Sequence, residues 1–121
     1  MKKIHAEDYI VKLKKISETG EGDIDIDTPG FKNIYFHTRA AAGATVSGIH
    51  SVMSGVVDHF VSPTGGFHHA KYEDGGGFSI TNDVAAGVYV LKEYGLKRIL
   101  IADFDVHHAD GTQAYFYEDP E

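Results

Sequence analysis

ILIADFDVHHADG, residues 99–111, changes character half-way along. The run Ile99-Leu100-Ile101-Ala102 is unbroken and apolar, which suits a strand buried on both faces of a parallel sheet. Ligand-type side chains follow at once: Asp103, Asp105, His107, His108 and Asp110. In an open α/β sheet the ligand crevice lies outside the carboxyl ends of the strands, where this cluster would fall. If the extended backbone persists, Asp103, Asp105 and His107 share one face and His108 points the other way. A carboxylate and an imidazole at a strand end make two-thirds of a catalytic zinc site, which takes three protein ligands and leaves a fourth position for water or substrate. Such a dense group of ionisable side chains is costly after a buried strand unless a cation or hydrogen bonds compensate. The spacing therefore points to a metal or catalytic role over simple capping of the next helix.

The remaining composition bounds the chemistry. With 121 residues, 42% hydrophobic, 24% charged and three prolines, the chain reads as one soluble globular unit, 1–121. It has no cysteine, so a metal must be held by His and carboxylate, and thiol nucleophiles are excluded. No charged-then-apolar leader and no membrane-length apolar run are present, which predicts a cytoplasmic protein without a membrane partner. A net charge of −7, with lysines concentrated in Lys2–Lys15 and Lys92–Arg98, argues against nucleic acid and favours a cationic substrate or partner.

Along the chain, Tyr9, Ile10, Leu13 and Ile16 recur on one face of an expected helix from His5 to Ser17, stopped by Gly20. Asp23 and Asp25 read as a solvated loop ending at Pro29-Gly30, without the spacing of a calcium loop. A second helix is expected over Lys32–Met53, its stripe being Ala42, Val46, Ile49 and Met53, with His37 and His50 as surface or hydrogen-bonded histidines. Val56–Val61 is expected as a strand, and Gly65-Gly66-Phe67-His68-His69-Ala70 follows its carboxyl end. In a βαβ unit both strand ends lie on one rim, so His68 and His69 can face Asp103–Asp110. Gly75-Gly76-Gly77 precedes Phe78, and Asn82-Asp83 caps a crossover helix over Val84–Tyr94. Together these elements predict an α/β fold with an open parallel sheet and flanking helices.

Three motifs, GGFHHA (65–70), GGGFSITNDVA (75–85) and DFDVHHADGTQAYFYEDP (103–120), together with IHAEDYI near the start, resemble the histone deacetylase and acetoin-utilisation-protein family, most closely its archaeal and bacterial members. The resemblance implies the arginase/deacetylase fold and a zinc-dependent amidohydrolase that removes acetyl groups from acetyl-lysine or small acetylated amines. It implies Asp105 and His107 as zinc (Zn2+) ligands and His68 and His69 as an acid/base pair partnered by Asp103 and Asp110. Gly77 and Phe78 would line the substrate channel, and Asp27 would be the rim carboxylate that holds the substrate backbone. Asp103 and Asp105 also match two residues that contribute to a potassium (K+) site. Ser79 stands where many relatives have cysteine and Ala109 where glycine is common.

The resemblance covers about the middle third of a family domain. The third metal ligand, a second Asp, and the tyrosine that hydrogen-bonds the developing oxyanion would lie beyond Glu121. The first strand and an inner-cavity arginine would precede Met1. A partial domain of this kind should bind zinc weakly and lose roughly two to three powers of ten in rate. Two other readings compete: an arginase-like ureohydrolase with two manganese ions, and a truncated non-catalytic metal-binding or scaffold protein. An unpaired strand edge would promote association.

Overall fold

The computed structural model describes residues 1–119, so Pro120, which ends the third motif, and Glu121 lie outside the described residues. The order of elements is α1 (Glu7–Thr19), β1 (Asp23–Asp25), β2 (Thr28–Pro29), α2 (Ile34–Met53), α3 (Asp83–Glu93) and α4 (Asp110–Phe116).

α1 forms where the helical repeat predicts it. Tyr9, Ile10, Leu13 and Ile16 are its buried face, Glu7 and Asp8 complement the dipole in the first turn, and Gly20 closes the helix in the left-handed conformation. That face meets Ile24 of β1 and Ile34 of α2 in the main apolar cluster. Leu13 is wholly buried there, which is worth about 2 kcal/mol relative to an exposed side chain. α2 packs against both α1 and α3. Gly48 of α2 lies against the Phe60 ring, whereas nothing approaches Gly43.

Two expectations are corrected. The segment read as a solvated acidic loop contains a small antiparallel hairpin, β1–β2, that pairs Asp23 with Pro29 and Asp25 with Thr28. Asp23 and Asp25 are nonetheless exposed, since the alternation buries only Ile24 between them. The second correction concerns the parallel sheet: β1–β2 is the sole sheet among the described residues, and neither Val56–Val61 nor Ile99–Ala102 forms a ladder. A buried strand needs neighbours on both edges and layers on both faces. Here Val61 is 87% and Leu100 90% exposed, so these runs carry a core-strand sequence without the surroundings that would bury it.

The histidines on α2 follow the sequence reading. His50 is exposed and its Nδ1 lies 2.7 Å from the Tyr94 hydroxyl, and His37 packs against the Phe31 and Phe36 rings. Among the described residues no helix is long and apolar enough to cross a membrane.

Candidate active site

His68 and His69 are carried by the segment between α2 and α3, which is pinned from below by buried polar groups. The Asp83 carboxylate, at the start of α3, accepts the backbone N–H groups of Gly66 and Phe67, both at 2.9 Å, and the Thr45 hydroxyl of α2 at 2.6 Å. Asn82 caps α3 by accepting the Ala85 N–H at 2.8 Å. Its amide nitrogen donates on the other side to the Ala70 carbonyl and the Thr112 hydroxyl, each at 3.1 Å, and reaches the His68 carbonyl at 3.4 Å. The Thr112 N–H also donates to the His68 carbonyl. The cap was legible in the sequence, but this second duty was not. The available signal was that a buried Asn cap still has two N–H groups to place. Replacing Asn82 by alanine is expected to lower unfolding free energy by about 2 kcal/mol in urea titration, combining a lost cap with buried acceptors left unpaired; an unchanged midpoint would refute this.

On this platform the two rings lie edge to face with centroids 4.2 Å apart. His68 Nδ1 is 2.7 Å from Asp103 Oδ2, and His69 Nδ1 is 2.6 Å from Asp110 Oδ1. Each neutral ring that donates from Nδ1 leaves Nε2 as its acceptor, so the carboxylates set both the tautomer and the ring orientation. The hydrogen bond from His68, with a second from the Asp105 N–H, holds the Asp103 carboxyl below the usual carboxylate range. Partial burial pushes the Asp110 carboxyl up, but hydrogen bonds from His69 and Lys71 outweigh it and bring Asp110 to about 2.

Residues 103–107 do not stay extended. The Asp103 carboxylate accepts the Asp105 N–H at 3.0 Å, and the Asp105 carboxylate accepts the His107 N–H at 2.8 Å. These local turns are the Asp side chain's usual alternative to a strand ladder. The second one brings Asp105 Oδ1 within 3.0 Å of His107 Nδ1, and the His107 N–H and ring together lower the Asp105 pKa. His108 faces elsewhere, its Nε2 being 2.7 Å from Gln113 Oε1.

One cavity of about 560 Å³ gathers His68, His69, Asp105, His107, Asp27, Gly77 and Phe78. Asp103 and Asp110 do not line it and stand behind the rings they bond. Gly77 and Phe78 both have positive φ, 53° and 62°, at the centre of a tight turn closed by Gly76 and Ser79. A Cβ at Gly77 would fall 2.5 Å from the His69 ring, so glycine is required there for contact as well as for conformation. Phe78 pays a conformational cost that no glycine would, and its N–H is held by the Thr28 hydroxyl at 2.9 Å. Asp27 accepts the Gly77 N–H at 3.1 Å, which ties the β1–β2 hairpin to this turn. A second cavity of about 410 Å³ shares Phe67 and is lined by Phe31, Thr38 and Ile80; its lining is mostly apolar and the paired titratable groups are absent from it.

Among the described residues no three His, Cys, Asp or Glu side chains converge on one ion position. Asp105 and His107 could supply two donors, since oxygen and nitrogen atoms 3.0 Å apart can both reach an ion about 2.0–2.2 Å from each.

The model of the histone deacetylase domain matches residues 1–121. The chain belongs to the histone deacetylase family. Histone deacetylase 8 of Xenopus tropicalis is 33% identical over 124 residues, a match that covers 96% of this chain and 33% of the relative. Polyamine deacetylase HDAC10 of Danio rerio is 36% identical over 126 residues, covering 96% of this chain and 18% of that protein. The crystal structure of a histone deacetylase homologue from Aquifex aeolicus superposes with a TM-score of 0.81 at 32% identity, covering 94% of this chain and 32% of the other. The backbone thus follows the deacetylase fold over nearly its whole length while spanning about a third or less of the relatives it matches. The α/β deacetylase-type fold class expected from the sequence therefore holds, and the two unpaired apolar runs are deacetylase-domain segments without sheet neighbours among the described residues.

Proposed function

We propose that this deacetylase-family chain carries part of the active site of a zinc-dependent amidohydrolase that removes acetyl groups from N-acetylated amines. The observation that carries the reading is one cavity shared by a carboxylate–imidazole donor pair and two imidazoles, each with its own carboxylate. Asp105 and His107 would hold the metal, which when bound supplies Lewis acidity toward an amide carbonyl and toward water. His68 and His69 take and return protons at Nε2: one removes the proton from the attacking water, and an imidazolium then protonates the leaving amine. Asp103 and Asp110 stabilise the imidazolium forms and keep the rings from turning. Phe78 and Gly77 flank the acyl chain, and Asp27, whose other contacts bind it to the rim, accepts an N–H from the substrate. The acidic balance of the chain, −7, favours substrates bearing further positive charge, such as lysine-rich peptides or acetylated polyamines. With two donor side chains in place of three, the 121 residues alone hydrolyse such substrates far more slowly than a complete domain.

The test combines zinc titration with acetate release from an acetyl-lysine peptide and an N-acetylated polyamine. Zinc uptake is expected to weaken by about a hundredfold or more in Asp105→Ala, a direct ligand costing at least what an outer partner costs. Identical zinc affinity in the two proteins would remove the metal assignment. Turnover equal to that of a full-length relative would remove the claim that the site is incomplete.

A further inference from the structure

The two histidine dyads are anchored differently. Asp103 has its second oxygen, Oδ1, fixed by a main-chain donor, the Asp105 N–H at 3.0 Å. Asp110 begins a short helix, and its second oxygen, Oδ2, meets the Lys71 ammonium at 2.9 Å. Lys71 is two residues beyond His69, and its own N–H donates to the Asp74 carbonyl at 2.9 Å, which closes the turn that aims the side chain back at α4. His69, Asp110 and Lys71 thus form a continuous chain, ring to carboxylate to ammonium, with contacts of 2.6 and 2.9 Å.

Lys71 and Asp110 line a polar recess of about 160 Å³ that also includes Asp25 and Asp74 and shares only His69 and Gly77 with the larger cavity. The His69 ring and the Gly77 turn therefore separate Lys71 from the place where a substrate would sit. Lys71 is about half exposed, so its charge alone is screened by water. Its geometric effect is not screened, because Asp110 is 41% exposed and would otherwise be free to change rotamer.

We infer that Lys71 is a positioning residue: it holds Oδ2 of Asp110 so that Oδ1 stays aimed at His69 Nδ1, and it does so from outside the reaction cavity. This rests on the proposed role of His69 for its catalytic meaning, but the hydrogen bond can be read without turnover. Asp110 also draws the Lys71 pKa upward through the same hydrogen bond, which accords with a standing ion pair.

The test is exchange of the hydrogen-bonded imidazole Nδ1 protons with solvent, followed by NMR in the 121-residue chain, in Lys71→Met and in Lys71→Arg. In Lys71→Met the His69 proton is expected to exchange about tenfold faster or more, while the His68 proton, anchored through Asp103, keeps its rate. Lys71→Arg, which restores a donor to Asp110, returns the His69 rate to within about threefold of the parent. An unchanged His69 proton in Lys71→Met overturns the inference. Equal loss of both imidazole signals in either variant also overturns it, by assigning Lys71 to the fold at large. Identical zinc affinity in the parent and in Asp105→Ala, with the His69 response intact, removes the proposed function and leaves this inference standing; the expected loss of zinc affinity with a flat His69 response does the reverse.

Discussion

Replacing Gly111 by alanine will lower the unfolding free energy by about 3 kcal/mol and displace the histidine pair. On helix grounds alone the change should stabilise by about 0.5–1 kcal/mol, because Gly111 sits in α4 and alanine is the better helix former. Close approach reverses the sign. A Cβ at this position would lie 2.4 Å from the His69 carbonyl carbon and 2.5 Å from the Ala70 and His69 carbonyl oxygens. These are backbone atoms and cannot rotate away, so either α4 retreats or the 68–70 segment shifts. Both movements strain the Thr112 N–H to His68 bond and the Asp110 to His69 bond, which α4 supplies to the site. Urea unfolding, with the chemical shifts of both imidazole protons, reads the two consequences together. A midpoint equal to or above that of the parent would show that the interface has room and would defeat the prediction.

Between pH 6.5 and pH 4 the protein will lose roughly 3 kcal/mol of stability through His5 alone. His5 is 1% exposed, its Nε2 is 2.9 Å from the Thr81 hydroxyl, and its ring is 5.1 Å from that of Tyr9. Burial lowers its pKa from 6.5 to about 4, against the opposing pull of the Tyr72 and Lys71 carbonyls. Above 6.5 the ring is neutral in both folded and unfolded chains, and stability is at its full value. As the pH falls below 6.5 the unfolded chain takes up a proton that the folded chain refuses until about 4, so stability drops across that window and the loss is complete below it. Urea titrations from pH 7.5 to 4.5 on the parent and on His5→Gln should therefore converge toward low pH. Parallel curves would mean that His5 does not titrate as its burial requires. His5 lies next to the platform, and its partner Thr81 adjoins Asn82, so this acid sensitivity reaches the site through the fold and not through the His68–His69 pair.

How much of this was legible in the chain can be judged from particular residues. The buried face of α1 was, because Tyr9, Ile10, Leu13 and Ile16 recur with a helical period and helix formation is decided within a turn or two of the backbone. So was the Asn82 cap, whose side chain meets a backbone N–H three residues on. That Ile99–Ala102 forms no ladder was not, since an apolar run records only that a segment suits burial between neighbours and says nothing of whether those neighbours are there. The turns at 103–107 were missed for a related reason: once no ladder holds the backbone, Asp103 and Asp105 bond the amides two residues ahead.

By itself the sequence determined the helices α1, α2 and α3, the family and the identities of the side chains that the cavity gathers, because periodicity, capping and motif order are written in neighbouring residues. The tertiary structure alone decided that Asn82 supports the histidine segment from beneath, that Gly111 must remain without a side chain, and that Lys71 backs one dyad while a main-chain N–H backs the other. Each of these depends on a contact across the fold, and the energy of such a contact turns on tenths of an ångström between groups brought together by packing, which no local pattern of residues encodes.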